Sequence, residues 1–289
     1  MSNKLKITLA SAMTAAAIGA LLSVSSSAHA VLLYAGAYST EFVSIETNPL
    51  SENFIGNSTS DSGADDQQLG GLDFQPGTGI LFGSSGSDNQ SADPGSLFTV
   101  DTATGDLTFI GQINGSRVVG LAFHADGRLY GSDQDNLLLI DPTDGDFTTV
   151  GSFGLDGKVA AMAFSPIDGL LYAADYDTGE LGTVSLVDGL FTSLGFSDGD
   201  GTSIDLRSIG GLAFDALGNL YAAKGDADGD MFQVDIAILE HTFLGNTHEE
   251  SISSLAIAPV SVSVPEPGTL ALFGLGLAGL GLARRKRMI

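Results

Sequence analysis

Three groups of side chains in this sequence have types and spacings that could do chemistry. Asp226-Ala227-Asp228-Gly229-Asp230 sets three carboxylates on alternate residues, as in the opening of the D-x-[DN]-x-[DN]-G loop that surrounds Ca2+ with hard oxygen ligands. Its glycine falls early and no distal Glu completes it. Asp226, Asp228 and Asp230 are therefore a candidate Ca2+ site weighed against an ordinary acidic hairpin turn, and no other cofactor is suggested. Asp198-Gly199-Asp200-Gly201 and Asp141-Pro142-Thr143-Asp144-Gly145-Asp146 pose the same choice. Arg117, Lys158 and Arg207 form the second group. They recur at matching places in an internal repeat and could hold an anionic group such as a uronate or sulfate, or could pair with neighbouring acids such as Asp156 and Asp205, since exposed ion pairs are common and weak. The third group is the histidines His124, His241 and His248, which fall in or near turns and strand ends. No Gly-x-Ser-x-Gly elbow, His-Glu-x-x-His pair or Gly-rich phosphate loop accompanies them, so no residue is assigned a catalytic role.

The elements that must position these groups are repeated. Gly71-Leu72-Asp73-Phe74 returns as Gly120-Leu121-Ala122-Phe123, Ala161-Met162-Ala163-Phe164, Gly211-Leu212-Ala213-Phe214 and Ser254-Leu255-Ala256-Ile257. After each of the first four come three more apolar runs, the last ending at Phe109-Ile110-Gly111, Thr149-Val150-Gly151, Ser193-Leu194-Gly195 and Phe243-Leu244-Gly245. Four short strands per period of about 40–50 residues, with Asp/Gly turns that supply positive φ, is the signature of β-propeller blades. Residues 31–56 read as a blade lacking its first strand, and Ser254–Ile257 as a first strand with nothing after it. The expected fold is therefore all-β: a five-bladed propeller whose first blade is completed by the C-terminal strand, which removes exposed sheet edges. An open, solenoid-like stack is the alternative. The pattern is similar to propellers of the NHL, SMP-like and TolB-like kinds. On this register Arg117 and Lys158 stand three residues before a blade's first strand and Arg207 four, near the mouth of the central channel.

Charge sharpens the second group. Six of the 11 basic residues lie outside 31–264, as does one of the 35 acids, leaving a formal balance of 5 − 34 = −29 in that stretch. Such a domain repels nucleic acid and anionic membranes. The apolar fraction of 43% is enough for a core, and zero Cys excludes disulfides, thiolate metal sites and thiol nucleophiles.

Both ends read as addresses. Lys4 and Lys6, an apolar run from Ile7 to Val24, and Ala28-His29-Ala30 make a secretory signal over residues 1–30, with signal peptidase expected to cut after Ala30. The repeat domain spans 31–258 and a linker 259–263. In 264–289 stand Pro265-Glu266-Pro267, an uncharged run over 269–283, and Arg284-Arg285-Lys286-Arg287. The prolines keep the first part extended. The run is short for a full span, and the basic cluster holds its end on the cytoplasmic side. This arrangement resembles the PEP-CTERM sorting domain in all three of its parts. The resemblance implies processing by an exosortase in a Gram-negative bacterium, with exopolysaccharide and biofilm as the setting. It implies export through the inner membrane, a transient anchor in it, and then the cell surface or extracellular matrix. The expected function is a non-enzymatic binding or scaffold propeller with an extracellular polysaccharide as candidate partner. An extracellular propeller hydrolase or lyase, with or without Ca2+, is the alternative.

Overall fold

The computed structural model describes residues 30–60, 67–86, 94–113, 117–195, 207–226, 229–247 and 251–259. These residues form five four-stranded antiparallel sheets. The recurrent apolar run supplies one strand of each: Leu69–Phe74, Gly120–Phe123, Val159–Phe164, Ile209–Phe214 and Ile252–Ile257. Small residues in these strands let neighbouring sheets approach at the axis. A Cβ added to Gly71 would lie 2.6 Å from the backbone nitrogen of Leu121 in the next sheet.

The sheet built from both chain ends is numbered blade 1. Ile252–Ile257 pairs antiparallel with Leu32–Ala37, placing Leu33 opposite Ile257 and Ala35 opposite Leu255. Glu41–Thr47 and Leu50–Asn57 complete it. Blades 2 to 5 follow in chain order. Ser253 Oγ lies 2.9 Å from Gly36 O and 2.7 Å from Leu69 O, so its proton ties the closing strand to blade 1 or blade 2.

The ring is closed, as the core shows. The buried apolar residues form five clusters, each shared by two adjacent sheets. An open stack of five sheets would have four such interfaces. The fifth joins Phe42 and Ala256 of blade 1 to Leu69, Leu72 and Phe98 of blade 2. The open-stack alternative is thereby excluded.

Antiparallel order gives the ring two unlike ends. Tight turns join first to second and third to fourth strands, with Gly127, Gly169 and Gly218 at φ +92°, +72° and +86°. At the opposite end lie the second-to-third-strand loops, such as 38–40, 133–135 and 176–180, and the connections from one blade to the next. Each innermost strand runs from the loop end to the turn end, so Ile257 leaves the ring among the tight turns.

Candidate functional site

At the loop end the axial channel opens into a cavity of about 190 Å3. Arg117 and Lys158 line it from the loops before blades 3 and 4, with Gln68, Tyr38, Gln134 and Tyr176. The rim is stitched by backbone hydrogen bonds that pass from loop to loop. Val159 N donates to Gln134 O at 3.0 Å, Tyr176 N to Lys158 O at 2.7 Å, and Ser208 N to Tyr176 O at 3.0 Å. Thr40, Gln134 and Ser208 are held at φ +72°, +87° and +62° in these loops, conformations that persist only where surrounding bonds over-determine them. Burial pushes the Tyr38 phenol up, the nearby Tyr176 adds to the rise, and Arg117 opposes it. These three side chains thus share one electrostatic neighbourhood.

The structure brings together two of the three basic residues expected at the mouth. Arg207 is exposed beside Ser208 and does not line the cavity. The two tyrosines come from second-to-third-strand loops and carry no repeat-wide signal, so alignment of the blades does not single them out.

The other candidates fall elsewhere. Lys224 Nζ lies 3.6 Å from Asp226, and Asn246 Nδ2 donates to Asp230, while Asp228 lies outside the described residues. Among the described residues no three His, Asp or Glu side chains stand close enough together to hold a metal. Asp141–Asp146 is a self-capped turn, with Thr143 N and Oγ1 both donating to Asp141 Oδ1. Asp198–Gly201 and His248 lie outside the described residues, as do Ala28, Pro265-Glu266-Pro267 and Arg284-Arg285-Lys286-Arg287; Ala30 is exposed at the start of the described chain. His124 occupies the expected turn, its Nδ1 2.8 Å from Asp126, which also meets Arg128 at 2.8 Å. The His124 hydrogen bond, more than those from the backbone and side chain of Arg128, holds the Asp126 carboxyl down at about 2. His241 lies in the fourth strand of blade 5, edge-on to Phe232.

Asp73 is an unanticipated group at the other end of the channel. It stands where the other innermost strands carry Ala122, Ala163, Ala213 and Ala256, and it lines an axial cavity of about 60 Å3. Its Oδ2 accepts from Phe123 N of blade 3 at 2.7 Å and its Oδ1 from Phe74 N at 2.8 Å. Burial outweighs both bonds and pushes the carboxyl up to about 7. A folded-state value above the unfolded one contributes stability that is complete below about pH 4 and is lost as pH rises through about 7. Asp73→Asn should abolish that loss. Urea titrations should show the variant gaining on the wild type between pH 4 and pH 8 by up to about 4 kcal/mol, the equivalent of three pKa units. A constant difference between the two across that range would contradict the assignment.

Comparison with known proteins locates the tail and the fold. Residues 263–287 match the PEP-CTERM protein-sorting motif. The chain is thus an exported protein with a C-terminal exosortase signal and a transient membrane anchor. No curated protein matches it. Among solved structures it is similar to a chain of the nidogen/laminin complex, at 15% identity over 80% of this chain and 99% of that one, with a TM-score of 0.54. It is also similar to a structural genomics protein of unknown function from Bacteroides thetaiotaomicron, at 13% identity over 81% of this chain and 63% of that one, TM-score 0.51. A protein from a study of the de novo evolutionary emergence of a symmetrical protein matches at 17% identity over 78% and 97%, TM-score 0.51. At these identities the likeness is one of fold.

Proposed function

We propose that this exported, exosortase-processed propeller is a non-enzymatic binding protein of the cell surface or exopolysaccharide matrix, which takes an acidic group of a matrix polysaccharide at its channel mouth. The observation that carries the reading is the convergence of Arg117 and Lys158 with Tyr38 and Tyr176 on one cavity, in a stretch whose formal balance is −29. A guanidinium offers two parallel donors to a carboxylate or sulfate, an ammonium adds a point charge, and phenol rings offer apolar faces with a polar tip. The cavity is smaller than the roughly 300–1,000 Å3 of sites that engulf a ligand, so it suits one charged sugar presented by a longer chain. The surrounding acid disfavours other anions from settling elsewhere and gives the contact its selectivity.

Calorimetric titration with polygalacturonate and with a neutral glucan tests the reading. Arg117→Gln with Lys158→Gln should weaken binding to the acidic polymer about tenfold or more, the equivalent of losing a charge-assisted hydrogen bond. Arg207→Gln should change it little. Unchanged binding in the double variant, or equal affinity for the neutral polymer, would count against it.

A further inference from the structure

The floor of the mouth cavity is one complete turn of equivalent positions. Gly70, Val119, Ala160, Gly210 and Ser253 each stand one residue before the recurrent apolar run, one in every blade, and all five line the cavity. None is larger than Val, which leaves room on the axis where five strands converge. Toward solvent stand Tyr38, Gln134 and Tyr176, from loops between second and third strands, with Arg117 and Lys158 from the connections into blades 3 and 4.

The rim closes around them, because hydrogen bonds cross every blade boundary at this end. Gln67 N donates to Ser58 O at 2.7 Å between blades 1 and 2, and Val118 N to Ser85 O at 3.2 Å between blades 2 and 3. Ser251 Oγ donates to Gly225 O at 3.3 Å between blade 5 and the closing strand of blade 1. The Val159 and Ser208 bonds complete the circuit. Among the described residues, no boundary is left open for a chain to pass through sideways.

The axis gives no exit either. The cavity beside Asp73 begins two residues further along the same strands and shares no described lining residue with the mouth. It measures about 60 Å3 against about 190 Å3, so a sugar ring that fills the first cannot enter the second. The mouth is thus a blind pit rather than a groove. A residue within a polymer has neighbours on two sides of its ring, and here both would have to leave through one opening, past the side chains that crowd it. A terminal residue, at a chain end or the tip of a branch, has one neighbour. Steric exclusion of the wrong form is a source of specificity in itself.

We propose that the mouth takes the terminal acidic sugar of a matrix polysaccharide and rejects the same sugar within the chain. This rests on the polysaccharide reading and narrows it. One protein molecule then caps one chain end or branch tip, and a linear polymer offers sites according to its ends, whatever its length.

Polygalacturonate cut by limited hydrolysis into fractions of decreasing mean length provides the test. Each fraction is titrated calorimetrically against the full chain at equal polymer mass and fixed ionic strength. Halving the mean length doubles the ends, so the protein bound per gram at saturation should double with each halving, and free galacturonic acid should compete. The amount bound is read rather than the affinity, because the acidic domain also repels a long polyanion more than a short one. Arg117→Gln with Lys158→Gln should weaken binding to every fraction about tenfold or more, which places the bound ends in this pit. An amount per gram that stays constant across the fractions would overturn the proposal and leave the polysaccharide reading standing, with internal residues as the ligand. A rise with the number of ends that the double variant leaves untouched would also overturn it, since the ends would then bind elsewhere. No binding to any fraction would overturn the polysaccharide reading, and this proposal with it.

Discussion

Chains ending at Ala258 and at Gly268 should unfold at the same temperature, whereas a chain ending before Ser251 should not fold. The segment between these points is the closing strand. Ile252, Leu255 and Ala256 are buried, the first two in the cluster that joins blades 5 and 1 and the third in the one that joins blades 1 and 2. Its loss damages two of the five interfaces, strips Leu32–Ala37 of its inner partner and exposes that strand's edge. Burying Ile252 and Leu255 alone contributes about 1.5–3 kcal/mol each. Together with the ladder and the Ser253 tie, that approaches the roughly 5–15 kcal/mol by which domains are stable at all. Thermal melts followed by circular dichroism test this directly. A cooperative transition near the full-length midpoint in the shortest chain would show that the ring does not depend on its closure. The functional consequence is that the sorting tail begins after the last residue the fold needs. A cut near Pro265-Glu266-Pro267 would leave all five sheets whole.

The sequence carried the fold further than it carried the site. Every expected strand is present because first strands recur with the same four-residue pattern and second to fourth strands follow at turn-limited distances. The half-blades at the two ends are complementary for the same reason. The site is built from a different kind of information. Arg117 and Lys158 were legible because they sit at equivalent repeat positions, but Arg207, at nearly the same position, turns to solvent beside the positive-φ Ser208. Tyr38 and Tyr176 belong to loops of different length and sequence, and only ring closure brings the first blade's loop to the fourth's. Asp73 breaks an otherwise all-Ala column, a departure that by itself assigns the side chain no role. Its partial burial and its bond to Phe123 N depend on the neighbouring blade 50 residues on, which no local pattern encodes.

A large destabilisation by a single methyl group should come from Gly56, Gly111 and Gly151, each near the end of a fourth strand. A Cβ on Gly111 would fall inside the carbonyl oxygen of Asp144, one on Gly151 inside that of Asp188, and one on Gly56 inside that of Thr104. In each case the obstacle is backbone in the third-to-fourth-strand turn of the next blade. The remaining two follow suit with side chains: Gly195 faces Leu239 at 3.2 Å and Gly245 faces Leu50 at 2.6 Å. The five contacts circle the ring and hold adjacent blades at the rim, as the innermost strands hold them at the axis. Because a carbonyl fixed in a tight turn cannot yield as a flexible side chain can, Gly111→Ala and Gly151→Ala must displace a blade. Overpacking of this kind costs about 3 kcal/mol or more. That corresponds to a fall in midpoint of roughly 10 °C for a domain of this size. Gly127→Ala is the control, since its Cβ meets nothing within 4 Å and its only burden is φ +92°. It should cost about 1 kcal/mol. Hydrogen exchange separates a local clash from a loosened ring. In Gly151→Ala the amides of residues 185–191 in blade 4 should lose protection, among them Phe191 N, which donates to Phe153 O of blade 3 at 3.0 Å. Unchanged protection there, with a midpoint no lower than that of Gly127→Ala, would mean the blades are held at the axis alone.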